Sequence, residues 1–441
     1  MKIIRGAIAL VAAGTLAACS GGGTPDAAQK ATPTAAGGPT ATGAEQAAPP
    51  QAGLKVPAAY DASKGWQLKA EQAPQFGVLP KAGLVMALTG KEGTYRVTAY
   101  EAATGRVRWE SRPFKKLQQS PAPQLFVTGS GGAEHLVVWS TGESAGDALT
   151  KAQKVYSIDI FAADGSGSEV APRHLDVPMP DGGRHEVLDG GTRLLLDSTT
   201  SRVTAVDPAT GALQTIEPKS LTPPAGCSSA CRGDQVKAVT AKGPVLTNST
   251  NSTARFWSPA GWDATTIAPA GAEPSGGSVW PVAGGRLLAR WDEKGNPMRN
   301  LWAVLDAESG QVQASVTCEK PFIPSGTDPD SAVSPNGRFL VSKHLAFDLE
   351  GKKGHCFVES DTAKPLTFRT VTDEGTAYGV SVTRNGTASG AEAPVQLSLS
   401  TGTPQPLESG AITPTADFAG IGVFEVPLQA GGGLVVHPRK S

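Results

Sequence analysis

Three groups of residues in this sequence could carry chemistry. Gly142-Glu143-Ser144-Ala145-Gly146 is a literal G-x-S-x-G, preceded by an apolar run (136–139) and followed by a helix-tolerant one (147–153). That pattern serves acyl transfer only when it forms a sharp turn on a parallel sheet, with an acid and a histidine following in the chain. The six histidines are His135, His174, His185, His344, His355 and His437, none two or four residues from another. With no H-x-x-E or C-x-x-C spacing either, a metal site has no support, and no cofactor is expected. Asp328 with Asp330, and Asp292 with Glu293, are acidic pairs on predicted loops, a pattern that is ordinarily solvated. Five cysteines complete the set: Cys19, Cys227, Cys231, Cys318 and Cys356.

What must position these residues is a repeat. Residues 97–109 alternate small or apolar with polar side chains, turn at Ala103-Thr104-Gly105 and alternate again, which reads as a hairpin of half-buried strands. Residues 203–211 (V-T-A-V-D-P-A-T-G) and 302–310 (W-A-V-L-D-A-E-S-G) repeat the unit, and weaker copies end at Gly165, Gly261, Gly351 and Gly402. The mean spacing of these turn glycines is about 50 residues, and strand signals at that period indicate a β-propeller with one four-stranded blade per repeat. The surrounding antiparallel pattern therefore makes Gly142–Gly146 a surface loop rather than a nucleophile turn.

Four strands, a to d from the axis outwards, are predicted in each period. The a-to-b and c-to-d turns are short and glycine-bearing and must share one face. The b-to-c and d-to-a connections share the other, and are expected to be long and irregular at 141–154, 218–235, 292–299 and 383–394. In the second repeat a weak fourth strand is expected after Gly167. Residues 60–68 read as an outer strand with no inner partners, and 419–426 with 434–437 as inner strands with no outer one. Joined, they complete an eighth blade; the alternative is seven blades with the terminal strands packed outside. Closure removes both exposed sheet edges.

The N-terminus reads as an export signal. Lys2 and Arg5 precede a short apolar run (6–15), and Leu16-Ala17-Ala18-Cys19 matches the bacterial lipobox, whose cysteine becomes the acylated N-terminus. The predicted organisation is a signal peptide at 1–18, a lipidated Cys19 with a disordered tether at 19–54, and a propeller at 55–441. The tether is rich in Ala, Gly, Pro and Thr and holds no aromatic residue and no Val, Ile, Leu or Met before Leu54, so it cannot bury enough surface to offset its ordering entropy. Its root-mean-square span is on the order of 30 Å. In an oxidising compartment the other four cysteines are expected to pair, Cys227 with Cys231 across one long loop and, by elimination, Cys318 with Cys356. The formal net charge of −1 gives no sign of a nucleic-acid partner.

The repeats resemble the pyrroloquinoline-quinone-type propeller repeat, A-x-D-x-x-T-G-x-x-x-W. Residues 98–109 carry it best, with Glu101 in place of Asp; residues 204–214 keep Asp207 but lack the Trp. Ser334-Pro335-Asn336-Gly337 is similar to the S-P-D-G turn of other propellers. For a dehydrogenase of the quinone type the resemblance implies a ring-stacking Trp in the central funnel and Glu, Asn and Asp ligands for Ca²⁺. Here Trp109, Trp139, Trp257, Trp262, Trp280, Trp291 and Trp302 lie on or beside strands, where aromatic side chains fill the gaps between blades. The expected protein is thus a monomeric, membrane-anchored, extracytoplasmic lipoprotein, whose propeller binds an envelope protein or glycan without catalysis. The alternative is a quinone- and Ca²⁺-dependent dehydrogenase or another propeller hydrolase.

Overall fold

A computed structural model describes residues 47–441 except 51–52, 70–74, 92, 131, 147–148, 150, 181–185, 197–201, 226, 228–230, 232, 234, 248–255, 321–330, 382–391, 427–432 and 441. Strand pairing gives eight antiparallel sheets, the blades of an eight-bladed propeller. They span 75–111, 124–178, 187–216, 235–263, 278–319, 331–356, 366–406 and, for the eighth, 416–438 together with 66–69. First strands of successive blades adjoin one another around the axis, as Gln75–Leu79 does with Gln124–Ser130 and Leu366–Val371 with Ala416–Phe418. Among the described residues no helix is long and apolar enough to cross a membrane.

Two of the sequence expectations are corrected by the strand pairing. Glu169–Val170, after Gly167, is not the fourth strand of blade 2. It lies parallel to Val107–Ser111 on the outside of blade 1, and Arg173–Pro178 is the fourth strand. Residues 292–299 do not form an irregular loop. Arg286–Glu293 and Asn296–Asp306 stay paired to the end of their hairpin, which turns at Lys294-Gly295.

Inner hairpins turn where a hydroxyl accepts a backbone N–H. Thr240 Oγ1 accepts from Lys242 N (3.1 Å), Ser334 Oγ from Phe339 N (3.0 Å) and Thr372 Oγ1 from Thr376 N (3.1 Å). These buried polar atoms are therefore satisfied next to the axis.

Blades are joined by a device on the repeat glycines. A donor on the outer strand of one blade lies over the c-to-d turn of the next and hydrogen-bonds a carbonyl there. Trp66 Nε1 donates to Ala102 O (2.7 Å), Trp262 Nε1 to Glu308 O (3.3 Å) and His355 Nε2 to Leu399 O (3.1 Å), while Arg173 Nη1 donates to Ala209 O. In each case the turn glycine makes room. A Cβ on Gly105 would stand 2.6 Å from Trp66 Cγ, and one on Gly310 2.9 Å from Trp262 Cγ. Both glycines are also left-handed, at φ +68° and +70°. Trp109, stacked on Phe161 at 5.7 Å, also lies against a turn glycine, Gly165, but its Nε1 has no hydrogen-bond partner among the described residues.

Ring closure uses both termini. Trp66–Lys69 pairs antiparallel with Gly433–Pro438, Trp66 opposite Val436. Behind it the buried Tyr60 hydroxyl donates to Asp417 Oδ2 (2.6 Å), and Arg439 grips both oxygens of Asp417 (3.1 and 2.9 Å) and reaches Glu374 in blade 7. Burial pushes the Tyr60 hydroxyl well above its ordinary range, and the carboxylates of Glu374 and Asp417 hold Arg439 charged against its own burial.

Docking onto the turn glycines predicts a difference between two Gly→Ala variants. Gly310→Ala meets both the left-handed backbone and Trp262, whereas Gly295→Ala, at φ +77° with open space around it, meets the backbone alone. Both lose stability in chemical denaturation, and Gly310→Ala loses about 1–3 kcal/mol more, the usual range for overpacking. Equal losses would remove the docking role.

Candidate functional site

Two clusters stand out on the face carrying the b-to-c and d-to-a connections. The first is a cavity of about 720 Å³ framed by blades 7, 8, 1 and 2. Its inner wall comes from the loop-face ends of first strands, with Gln75 and Phe76 from blade 1 and Leu125 from blade 2. The Gln75 amide is fixed by two bonds to blade 2, donating to Pro123 O and accepting from Leu125 N (both 2.7 Å). Arg369 sits at a bulge in the first strand of blade 7, where pairing skips from Phe368 to Thr370. A bulged residue leaves the ladder and can aim its side chain elsewhere; Arg369 reaches Glu392 at 3.3 Å. Glu425, at the end of a blade 8 strand, lines the opposite side and has no ion-pair partner among the described residues. Among the described lining residues the charged groups are one guanidinium and two carboxylates.

The second cluster joins blades 5 and 6. Cys318, near the end of the outer strand of blade 5, is disulfide-bonded to Cys356, the last residue of the outer strand of blade 6. His344 lies in the two-residue turn between the second and third strands of blade 6, where Lys343 takes φ +50°. The ring of His344 meets Trp302 edge-on at 6.2 Å, and Trp302 stacks on Trp280 at 5.7 Å. The Arg290 guanidinium stands 5.5 and 5.6 Å from those two indoles, within cation–π range. Burial lowers the Arg290 pKa, and burial, with Lys343 adding, takes that of His344 down to about 4. His344 is therefore a neutral imidazole at physiological pH.

The structure separates the other residues singled out by sequence. Both expected disulfides are present, Cys227–Cys231 and Cys318–Cys356. Cys19, His185, Asp328 and Asp330 lie outside the described residues. Ser144 follows a long strand, Ala133–Glu143, and ties its own loop: its Oγ accepts from Gln153 N (3.2 Å) and its N donates to Gln153 O (2.8 Å). That is a loop closure, not a nucleophile elbow. Asp292 pairs with Lys320 (2.8 Å) and Glu293 with Arg299 (3.2 Å), so each carboxylate already has a cation. Trp109, Trp257 and Trp291 are almost wholly buried between blades.

Sequence reading named His174 but not its partners: exposed, it bonds Asp159 through Nδ1 (2.7 Å) and faces Asp176 at 3.4 Å. The carboxylates raise its pKa against the opposing pull of burial. Period-two spacing places His174 and Asp176 on one side of a strand, which was the available signal.

No protein-family model matches the sequence, and no curated protein does. Solved structures match at low identity. An uncharacterised protein of Listeria monocytogenes is 12% identical, with 80% of this chain and 97% of that one covered and a TM-score of 0.40. The WD40 repeats of RRP9 are 11% identical over 87% of this chain and 99% of theirs, with a TM-score of 0.38. The β-propeller domain of the Trilobed protease of Pyrococcus furiosus is 11% identical over 72% and 86%, with a TM-score of 0.32. The eight four-stranded sheets, not these likenesses, define the fold.

On the tight-turn face, away from these clusters, His135 gives the ring a pH signature. It is 5% exposed in the second strand of blade 2, and neither ring nitrogen has a hydrogen-bond partner among the described residues. Burial lowers its pKa, Asp207 and Asp164 pull the other way, and Arg173 adds to the lowering. The unfolded chain therefore binds a proton that the folded chain refuses, and stability present above about pH 6.5 is lost as pH falls below it. In denaturation at several pH values, His135→Leu should flatten this slope and lose no stability at pH 7.5. An unchanged slope would show that His135 takes up its proton in the folded ring as readily as in the unfolded chain.

Proposed function

We propose that the protein is a lipid-anchored, extracytoplasmic binding module of the cell envelope, and that the loop-face cavity receives its ligand. In this reading Cys19 is acylated after removal of residues 1–18, and the following tether holds the ring at the membrane surface.

The observation that carries the reading is the polarity of the ring. The chain enters on the tight-turn face, where Ala47 N donates to Gly105 O (3.2 Å) and Ala48 bridges Gln67. The cavity opens on the other face from that entry point. Rigid first strands position Gln75 and Arg369, while connections frame the rest, the usual division between scaffold and binding surface.

The chemistry of the cavity favours binding. Among the described residues two carboxylates and one guanidinium line it, with amide, hydroxyl and apolar groups between them. Such a lining complements a hydroxyl-rich or cationic surface, as on an envelope glycan or a basic protein segment. The same titratable groups supply charge and hydrogen bonds but no nucleophile–base pair.

Affinity capture from detergent-solubilised envelope tests both halves. The intact protein should retain a defined envelope protein or glycan, and Glu425→Arg should lower that retention at least tenfold while leaving the fold unchanged. Cys19→Ala should move the protein from the membrane to the soluble fraction. Equal capture by Glu425→Arg would remove the cavity from the reading. Uptake of pyrroloquinoline quinone with Ca²⁺, together with dye reduction by an alcohol or sugar, would replace it with a dehydrogenase.

A further inference from the structure

We propose that the Cys318–Cys356 disulfide masks a metal site: once it is reduced, Cys318, Cys356 and His344 hold a zinc ion that joins blades 5 and 6 in its place. This does not depend on the binding role of the loop-face cavity.

The geometry comes first. One ligand atom from each of the three residues lies within 4.8 Å of the other two. Around tetrahedral zinc, bonds of about 2.3 Å to sulfur and 2.0 Å to imidazole nitrogen place the donors roughly 3.5–3.8 Å apart. Reduction moves the sulfurs apart towards that separation, and the imidazole closes by about 1 Å or less. The three residues are held independently of the disulfide. Cys318 is paired across the sheet with Asn300, Cys356 with Leu345, and the His344 carbonyl accepts from Phe357 N (2.9 Å).

Donor chemistry selects the ion. Two thiolates and an imidazole form a soft-to-borderline set suited to Zn²⁺ and unsuited to Ca²⁺ or Mg²⁺. The imidazole is also uncommitted, since His344 Nε2 is buried with no hydrogen-bond partner among the described residues. Trp302, edge-on to the ring, fixes its plane. Cys318 is buried, whereas Cys356 and His344 are only partly buried, which gives reductant and ion a side of approach.

The chemistry balances. A dithiol reductant passes two electrons and two protons to the disulfide, leaving two thiols here and a disulfide in the reductant. Zinc then displaces both thiol protons to solution and fills its fourth position with water. Two blades are thus clamped covalently under oxidising conditions and by coordination under reducing ones.

The test uses the full chain with Cys19→Ala, Cys227→Ser and Cys231→Ser, so that only the inter-blade pair remains. Zinc is titrated against a chromophoric chelator with and without a phosphine reductant, and Co²⁺ serves as a spectroscopic stand-in. The reduced protein should bind one zinc and, with Co²⁺, show thiolate-to-metal charge transfer and tetrahedral ligand-field bands. The oxidised protein should lack both, and His344→Ala should weaken zinc binding in the reduced protein at least tenfold. Three results would each overturn the proposal: equal zinc binding by the two redox forms, unchanged affinity in His344→Ala, or loss of the β-sheet circular dichroism signal on reduction.

Discussion

A propeller has no single core, so its integrity depends on how each blade grips the next. In this chain the grip is a hydrogen-bond donor on an outer strand laid over a glycine turn of the following blade. Trp66, Arg173, Trp262 and His355 perform it with three different chemistries, an indole, a guanidinium and an imidazole. Common to them is an N–H-bearing side chain that lies against the turn glycine while its N–H satisfies a carbonyl. The glycine is required twice, for its left-handed backbone and for the absence of a Cβ. Around this contact apolar clusters fill the wedges, each drawing on neighbouring blades, as Trp109, Leu136 and Phe161 do between blades 1 and 2.

The same device explains why the chain ends must meet. Blade 8 takes three strands from the C-terminal end and its outer strand from residues 66–69. That outer strand carries Trp66, the donor that docks onto blade 1 at Gly105. Without it blade 8 has an open edge and blade 1 an empty turn, so both faces of the seam fail together. The Tyr60–Asp417–Arg439–Glu374 network reinforces the seam from the tight-turn side. Buried charge there is held by several partners at once, the condition under which such groups are tolerated.

Much of this was legible in the sequence because the repeat imposes itself on local residue types. The spacing of turn glycines, the alternation in 97–109 and the unmatched strands at both ends suffice for eight blades closed by the termini. Cysteine arithmetic suffices for both disulfides. The misses have physical causes. Residues 292–299 are polar and hold a Pro, yet they remain paired because a long exposed hairpin is stabilised by its own ladder and by Arg299 between Glu293 and Glu319. Arg173 and His355 escaped as docking residues because a Trp-based pattern does not anticipate other flat donors. The cavity and the Cys318–Cys356–His344 cluster draw on residues far apart in the chain, and only the closed ring brings them together.

The functional reading follows from the same architecture. A ring shut on itself offers a fixed rim, so variation in the connections changes what is presented without disturbing what presents it. The two faces then differ, one carrying the repeated turns and the other the cavity. All of this requires that Trp66–Lys69 be an integral strand of the ring and not an appended arm. Native-state amide hydrogen exchange resolved by strand measures it directly. The amides of Trp66–Lys69 should be as protected as those of Gly433–Pro438 and should open only when the whole ring opens. Rapid exchange of Trp66–Lys69 while the inner strands stay protected would contradict the closed ring.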